Sequence, residues 1–491
     1  MKRILDPVGC WGLLALFMIL AMPAATLSAN AAAELRLAAV ISDGMVLQQG
    51  LPVRLWGSGS PGASIMLKLG PEKATATVGQ DGKWQCELPA LRDGGPIALE
   101  IASGNERLSV GDILVGEVWL CSGQSNMHWP LKKSANAKSV IAAADNTEIR
   151  FFTVAQNASV EGEPSLEGKW EVCQPDSAAE FSAIAYYFGK QLHESLDVPV
   201  GLIGSSWGGT AAAPWTAPEA FEGHPQLGYL AKTRSGNLRK ASKQIAAGQE
   251  PKGTQRIPGV LYDNMIRPLV FFGLRGVIWY QGESNVKQAS QYAVLFPTLI
   301  ESWRSAWGRQ DLPFLFVQLP NYREKQSGPK GSQWAELRES QFKTLELPNT
   351  GMAVTIDIGE ANDLHPKNKK DVGERLARIA LHDVYGIDVK GPATGPLFSA
   401  CDIKGNEVVV SFDYAEGGLK TIDGMAPKAF AVAGQDGQFV SADARIENNT
   451  VIVSSSEITS PVAVRYAWEG NPEVNLVNQA NLPASPFRSS S

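Results

Sequence analysis

A hydroxyl nucleophile needs a base to take its proton, a group to orient that base, and donors to hold the developing oxyanion. Four short polar segments of this 491-residue chain offer such parts. The first is Ser122-Gly123-Gln124-Ser125-Asn126-Met127, which abruptly ends the apolar run 115–120. Ser125 is therefore expected just past the carboxyl end of a buried strand, where open α/β sheets place their ligands. An ordinary turn after a strand would look the same, so Ser125 takes its meaning from the other three segments. Residues 198–203 lead into Gly204-Ser205-Ser206-Trp207-Gly208-Gly209-Thr210, where the paired glycines Gly208 and Gly209 let backbone N–H groups approach an anion. Residues 276–280 lead into Gln281-Gly282-Glu283-Ser284-Asn285, a side-chain amide beside a glycine and a carboxylate. Residues 352–358 lead into Asn362-Asp363-Leu364-His365-Pro366.

The choice of base is narrow, because the chain has five histidines. His193 and His382 lie in helical patterns and are expected at the surface or its boundary. His224 lies in a polar loop, and His128 follows the serine segment too closely to serve as base, though it could line a pocket. A lone histidine before a helix is most often a surface residue. His365 stands out through its position at a strand end and through the neighbouring Asp363.

Positioning four loops along one edge requires a sheet. Nearly continuous apolar runs at 115–120, 198–203, 276–280, 313–319 and 352–358 alternate with amphipathic stretches at 292–307, 334–345 and 368–385. That alternation predicts a parallel sheet with helices on both faces. The polar stretch 232–255 is expected to be a surface insertion. Residues 34–112 alternate short β-prone runs with Gly, Pro and Asp turns, the pattern of a β-sandwich. From 387 a second set of short strands returns at 408–412, 429–432, 450–453 and 462–466, and the last segment is expected to fold back onto the middle of the chain. The predicted divisions are 34–112, 113–386 and 387–491.

Residues 1–33 read as a signal peptide: Lys2 and Arg3, an apolar run 12–22, then small residues with candidate cleavage sites at 29–31 and 31–33. The run is too short to span a bilayer comfortably, so an exported protein, periplasmic or secreted, with no membrane span after processing is expected. A net charge of −6 and the absence of basic blocks argue against a nucleic-acid partner. Cys86, Cys121, Cys173 and Cys401 form no CxxC pair, which argues against a zinc site, and isolated buried thiols are expected. Thirteen tryptophans are mostly core residues, with Trp129, Trp207 and Trp215 near the polar loops as candidates for a sugar platform.

On SGQSNM at 122–127, WGGT at 207–210, WYQGESN at 279–285, DLHP at 363–366 and NLPASPFR at 481–488, the sequence resembles the sialate O-acetylesterase group of the SGNH (GDSL-like) hydrolases. The resemblance covers most of the mature chain. It implies an α/β fold of SGNH type, a parallel sheet with helices on both faces flanked by amino- and carboxyl-terminal β-sandwich-like domains. It also implies Ser125 as nucleophile, His365 as base, and an oxyanion hole from the Ser125 N–H, a glycine N–H of Gly208-Gly209 and the Gln281 side chain. Many SGNH enzymes carry aspartate three residues before the histidine, where this chain has Asn362. Asp363 is the expected orienting acid, with a backbone carbonyl or another acid as the alternative. Gln124, Glu283, Asn285 and Trp207 are expected to shape the substrate pocket.

The implied activity is hydrolysis of sugar O-acetyl esters through an acetyl-enzyme, with no metal and no organic cofactor. Sialosides and plant polysaccharides such as xylan are both candidate substrates. A non-catalytic carbohydrate-binding surface protein on a degenerate hydrolase core is the alternative of another class. A lipase or thioesterase is disfavoured because no apolar lid or acyl groove is evident. Oligomeric state is not legible.

Overall fold

The computed structural model describes residues 34–326 and 328–489; the signal-peptide expectation for 1–33 lies outside them. Its spine is the eighteen-residue strand Glu106–Gly123, buried almost without interruption from Ile113 onward. Such a run of Val, Ile, Leu and Trp suits a strand covered on both faces. The ladder runs Trp170–Cys173, Asn146–Thr153, Val200–Ser206, Glu106–Gly123, Gly276–Tyr280, Phe314–Val317, Thr350–Ala353. Every pairing is parallel except that of the edge strand Trp170–Cys173.

Residue parity assigns the two faces. Leu120, Ser122, Val277, Trp279, Phe314 and Phe316 share one face by register. The helix Ala289–Trp307 covers it, with Phe296 and Trp303 meeting Trp279 and Phe314. Trp119, Ile278 and Leu315 share the other face. There Phe188 of the helix Ala183–Leu196 meets Trp119, and Ile379 of the helix Lys370–Ile379 approaches Gly351. This is a mixed α/β arrangement with helices on both faces of a large sheet.

Several expected elements changed length. The strand expected over 352–358 is Thr350–Ala353, because its neighbour ends at Val317 and offers no further ladder. Beyond it the chain is held irregularly, by Thr355 Oγ1 donating to the Gln318 carbonyl and by the Gly359 N–H donating to Asn321 Oδ1. The helix expected over 334–345 is Gln333–Lys343, and that over 368–385 is regular from Lys370 to Ile379 before a wider turn Ala380–Val384. The polar stretch 232–255 falls largely on the helix Gly228–Ala246, most of which faces solvent.

The amino-terminal strands Val46–Gln48 and Gly94–Ser103 pair directly with Glu106–Gly123, which runs through position 112. Beneath this junction Glu117, 1% exposed, receives both Nε and Nη2 of Arg275, at 2.7 and 3.0 Å, and the Tyr385 hydroxyl at 2.8 Å. The carboxyl-terminal strands form a β-rich region with its own core of Val408, Val410, Phe430, Val432, Val464 and Phe487.

The expected fold-back is present. Arg338, fully buried, donates to the carbonyls of Leu319 and Pro320 from the central sheet's edge and to those of Glu469 and Gly470 from the carboxyl-terminal region, at 2.6–2.9 Å. Ser485 joins Gln318 at 2.9 Å. Among the described residues all four cysteines are free; Cys121 and Cys173 are buried, whereas Cys86 and Cys401 are only partly so. No described helix is long and apolar enough to cross a membrane.

Candidate active site

The long strand ends in a turn that needs glycine. At Gly123 φ is 138°, and a Cβ there would lie 2.1 Å from the Tyr280 carbonyl oxygen. With that close approach, the Gln124 N–H donates to the same carbonyl at 3.0 Å, and a single helical turn, Ser125–His128, begins at the serine. Ser125 thus sits at a helix amino terminus, where its N–H has no intrahelical acceptor.

His365 meets it from the loop after Thr350–Ala353: Nε2 lies 2.9 Å from Ser125 Oγ. Asp363 Oδ1 accepts the His365 backbone N–H at 2.8 Å and lies 3.8 Å from ring Nδ1. The carboxylate therefore ties down the histidine's main chain and acts on the ring through its charge, without a direct hydrogen bond to it. Trp129 stacks on the imidazole, centroids 4.9 Å apart and planes 15° apart. Burial and the Lys369 cation hold His365 below its ordinary value of 6.5, against the opposing pull of Asp363.

Gly208 abuts the nucleophile; a Cβ added there would lie 3.3 Å from Ser125 Cβ. Among the described residues the N–H groups of Gly208, Gly209 and Ser125 meet no backbone or side-chain acceptor, and of the two glycines it is Gly208 that sits against Ser125. Gln281 is differently engaged. Fully buried, its Nε2 faces Asn285 Oδ1 at 2.8 Å, and the Thr210 carbonyl and Gln124 Oε1 at 3.3 Å each. Asn285 Oδ1 also accepts the Ala212 N–H at 3.0 Å, and Gln124 Oε1 accepts the Ser284 N–H at 3.3 Å. Gln124, Gln281 and Asn285 thus form one amide cluster behind the serine.

Trp207 is half-buried, its N–H bound to the Gly123 carbonyl at 3.2 Å. Trp215 is fully buried, with Nε1 on Thr210 Oγ1 at 2.9 Å, and so is not a sugar platform. Trp129 serves the histidine. His128 is exposed beside the Ser206 hydroxyl, His193 bonds the Val198 carbonyl, His224 accepts the N–H groups of Gln226 and Leu227, and His382 pairs with Asp383. Among the described residues no group of three or more His, Cys, Asp or Glu side chains could hold a metal ion.

Two residues escaped sequence reasoning. Asn126 is fully buried; its Nδ2 donates to Glu283 Oε1 and to the Leu364 carbonyl, and its Oδ1 accepts from Lys369 Nζ. Lys369 is 1% exposed, although Lys367-Asn368-Lys369-Lys370 reads as a solvated charge run. The usable signal was its spacing, four residues after His365 at the start of a helix.

Residues 115–382 match the family model described as carbohydrate esterase, sialic acid-specific acetylesterase. A sialate O-acetylesterase of Mus musculus is 29% identical over 96% of this chain and 97% of its own length. Its Homo sapiens counterpart is also 29% identical, over 92% of each. The crystal structure of a carbohydrate acetylesterase from Xanthomonas citri superposes with a TM-score of 0.84 at 38% identity, covering 93% of this chain and all of that one.

Proposed function

The chain belongs to the sialic acid-specific acetylesterase family of carbohydrate esterases and is a carboxylic ester hydrolase acting on sugar O-acetyl groups; from that premise we propose that Ser125 is its nucleophile and His365 its base. The observation that carries this reading is the 2.9 Å contact between Ser125 Oγ and His365 Nε2. Two supports stand beside it, the unpaired N–H groups of Ser125 and of Gly208 against it, and surroundings that hold the His365 pKa below its ordinary value.

The steps follow from that geometry. His365 Nε2 takes the Ser125 proton as Oγ bonds the acetyl carbon. The oxyanion is held by the N–H groups of Ser125 and of Gly208 or Gly209. Gln281 joins them by exchanging one of its 3.3 Å contacts for the oxyanion while keeping the shorter bond to Asn285. Collapse breaks the bond to the sugar oxygen, which leaves with the proton from His365. Water, deprotonated by His365, then attacks the acetyl-enzyme; acetate departs and Ser125 recovers its proton. Asp363 favours the transient imidazolium through its charge. Trp207, half-exposed beside Gly208, borders the side where the sugar enters, while the buried Gln124 and Asn285 and Glu283, whose Oε2 is buried, shape the site from behind the serine.

The strand order and loop positions support the SGNH arrangement, with residues 34–112 and 387–491 as flanking β domains around 113–386. Residues 1–33 support export to the periplasm or beyond. The sugar itself is a matter for assay: acetate release from matched O-acetylated sialosides and acetylated xylan separates the two substrate classes. Purified Ser125→Ala should lose hydrolysis of both an aryl acetate and the preferred sugar; undiminished turnover would overturn the nucleophile.

A further inference from the structure

Asn126 ties the serine turn to the loop that carries His365. It follows Ser125 directly, and its Nδ2 donates at 3.1 Å to the carbonyl of Leu364, the residue before His365. Its amide has one possible orientation, because an ammonium only donates and a carboxylate only accepts. Lys369 Nζ takes the oxygen and Glu283 Oε1 takes the nitrogen. Lysine and glutamate are thus joined through a neutral amide instead of a direct ion pair.

The ammonium is otherwise walled by aromatic faces, 5.6 Å from the Trp129 centroid and 5.8 Å from that of Tyr280. Trp129 is the ring stacked on His365. The remaining Glu283 oxygen, Oε2, is buried without a hydrogen-bond partner. A fold seeking stability alone could fill this space with apolar side chains at little cost, since buried charges carry a large desolvation penalty. The amide that joins these charges lies one residue from the nucleophile, and Lys369 lies four from the base.

We propose that Lys369 is a positioning residue for the esterase reaction: through the Asn126 amide it locks the Ser125 turn to the His365 loop, with Glu283 as its buried counter-charge. The proposal rests on Ser125 and His365 being the catalytic pair. Its second consequence is electrostatic. The groups facing His365 are the Ser125 hydroxyl, the Asp363 carboxylate, the Lys369 ammonium and, across Trp129, the Lys133 ammonium. Lys369 itself faces Glu283, Asp363 and Glu360, while Lys190, Glu194, Lys370, Asp371 and Glu374 line the cavity it borders. Burial drags Lys369 down to about 7, against the pull of Glu283. Its cation is one of the groups that hold the His365 pKa down, and burial in turn raises the Glu283 carboxyl against the pull of Asn126 and Lys369.

The test compares Lys369→Met, the double variant Lys369→Met/Glu283→Gln, and the exposed neighbour Lys370→Met, each assayed on an aryl acetate across pH. Lys369→Met keeps the volume and removes the cation. Expected are a plateau kcat lowered about tenfold, an ordinary cost for a misaligned proton acceptor, an unchanged KM, and an acidic limb of kcat/KM moved upward. The double variant removes the orphaned carboxylate yet leaves an acceptor for Asn126 Nδ2. It should regain thermal stability while keeping the displaced limb and low kcat; Lys370→Met should match the parent. A double variant with parental kcat and limb would reduce Lys369 to a structural role and overturn the proposal, as would an unshifted limb in Lys369→Met. Ser125→Ala, run alongside, separates this failure from that of the nucleophile assignment: loss of turnover there with no Lys369 effect condemns only the relay.

Discussion

Trp129 lies nearly parallel to the His365 ring, with the two centroids 4.9 Å apart. The histidine that receives the serine proton is thus oriented by a stacked face more directly than by a carboxylate. Offset aromatic pairs contribute about 0.5–1.5 kcal/mol beyond area burial. Trp129→Leu should therefore lower kcat by about two- to tenfold, that energy converted to rate, while leaving KM nearly unchanged. Trp129→Phe should retain most activity. Steady-state kinetics on an aryl acetate check both.

Asp363→Asn should be milder than loss of a directly bonded triad aspartate, which elsewhere costs about 10⁴-fold in kcat. The carboxylate oxygen stands 3.8 Å from Nδ1, and an asparagine oxygen can still accept the His365 N–H. A loss of about 10–10²-fold is expected, since charge stabilisation goes while the loop geometry stays. A 10⁴-fold loss in the same assay would mean that the carboxylate closes onto the ring during turnover.

The acidic limb of kcat/KM should fall below the ordinary histidine value of 6.5. Protonated His365 cannot accept the serine proton, so the rate declines as pH drops through its pKa. Burial and Lys369 lower that pKa, so the native enzyme should keep more than half its plateau kcat/KM at pH 6.5. A pH series in buffers of constant ionic strength measures it.

Arg275→Met should destabilise the fold and spare the chemistry. It leaves Glu117 buried without its bidentate cation, a loss of about 3–5 kcal/mol for a broken buried pair. Glu117 is six residues before Gly123 on the same strand, about 20 Å from the strand's catalytic end at ~3.3 Å per residue. Urea unfolding should register the change, and kcat of the folded fraction should not.

Apolar periodicity carried most of the architecture into view. Val, Ile and Leu runs of strand length marked five central strands, and the loops following four of them held the polar residues that meet at Ser125. The failures have physical causes. Met352-Ala353-Val354-Thr355-Ile356 reads as a strand throughout, but pairing stops where the neighbouring strand stops, and hydropathy does not report a partner's length. Lys369 looks solvated because a sequence does not show that two aromatic rings and an amide oxygen will enclose an ammonium. Gln281 was legible as an amide near the serine, while its bonds to Gln124, Thr210 and Asn285 depend on loops far apart in the chain.

Arg338 gives the carboxyl-terminal strands a different standing from that of an accessory module. Two of its acceptors come from the central sheet's edge and two from Glu469 and Gly470, so it has no complete solvation shell in either part alone. A chain trimmed at 387 would leave that guanidinium without half of its acceptors. The terminal region cannot be exchanged among relatives by recombination at that point unless the incoming segment brings carbonyls to the same two places. Inheritance of this enzyme is therefore constrained to travel as a whole from the central sheet to the last strand.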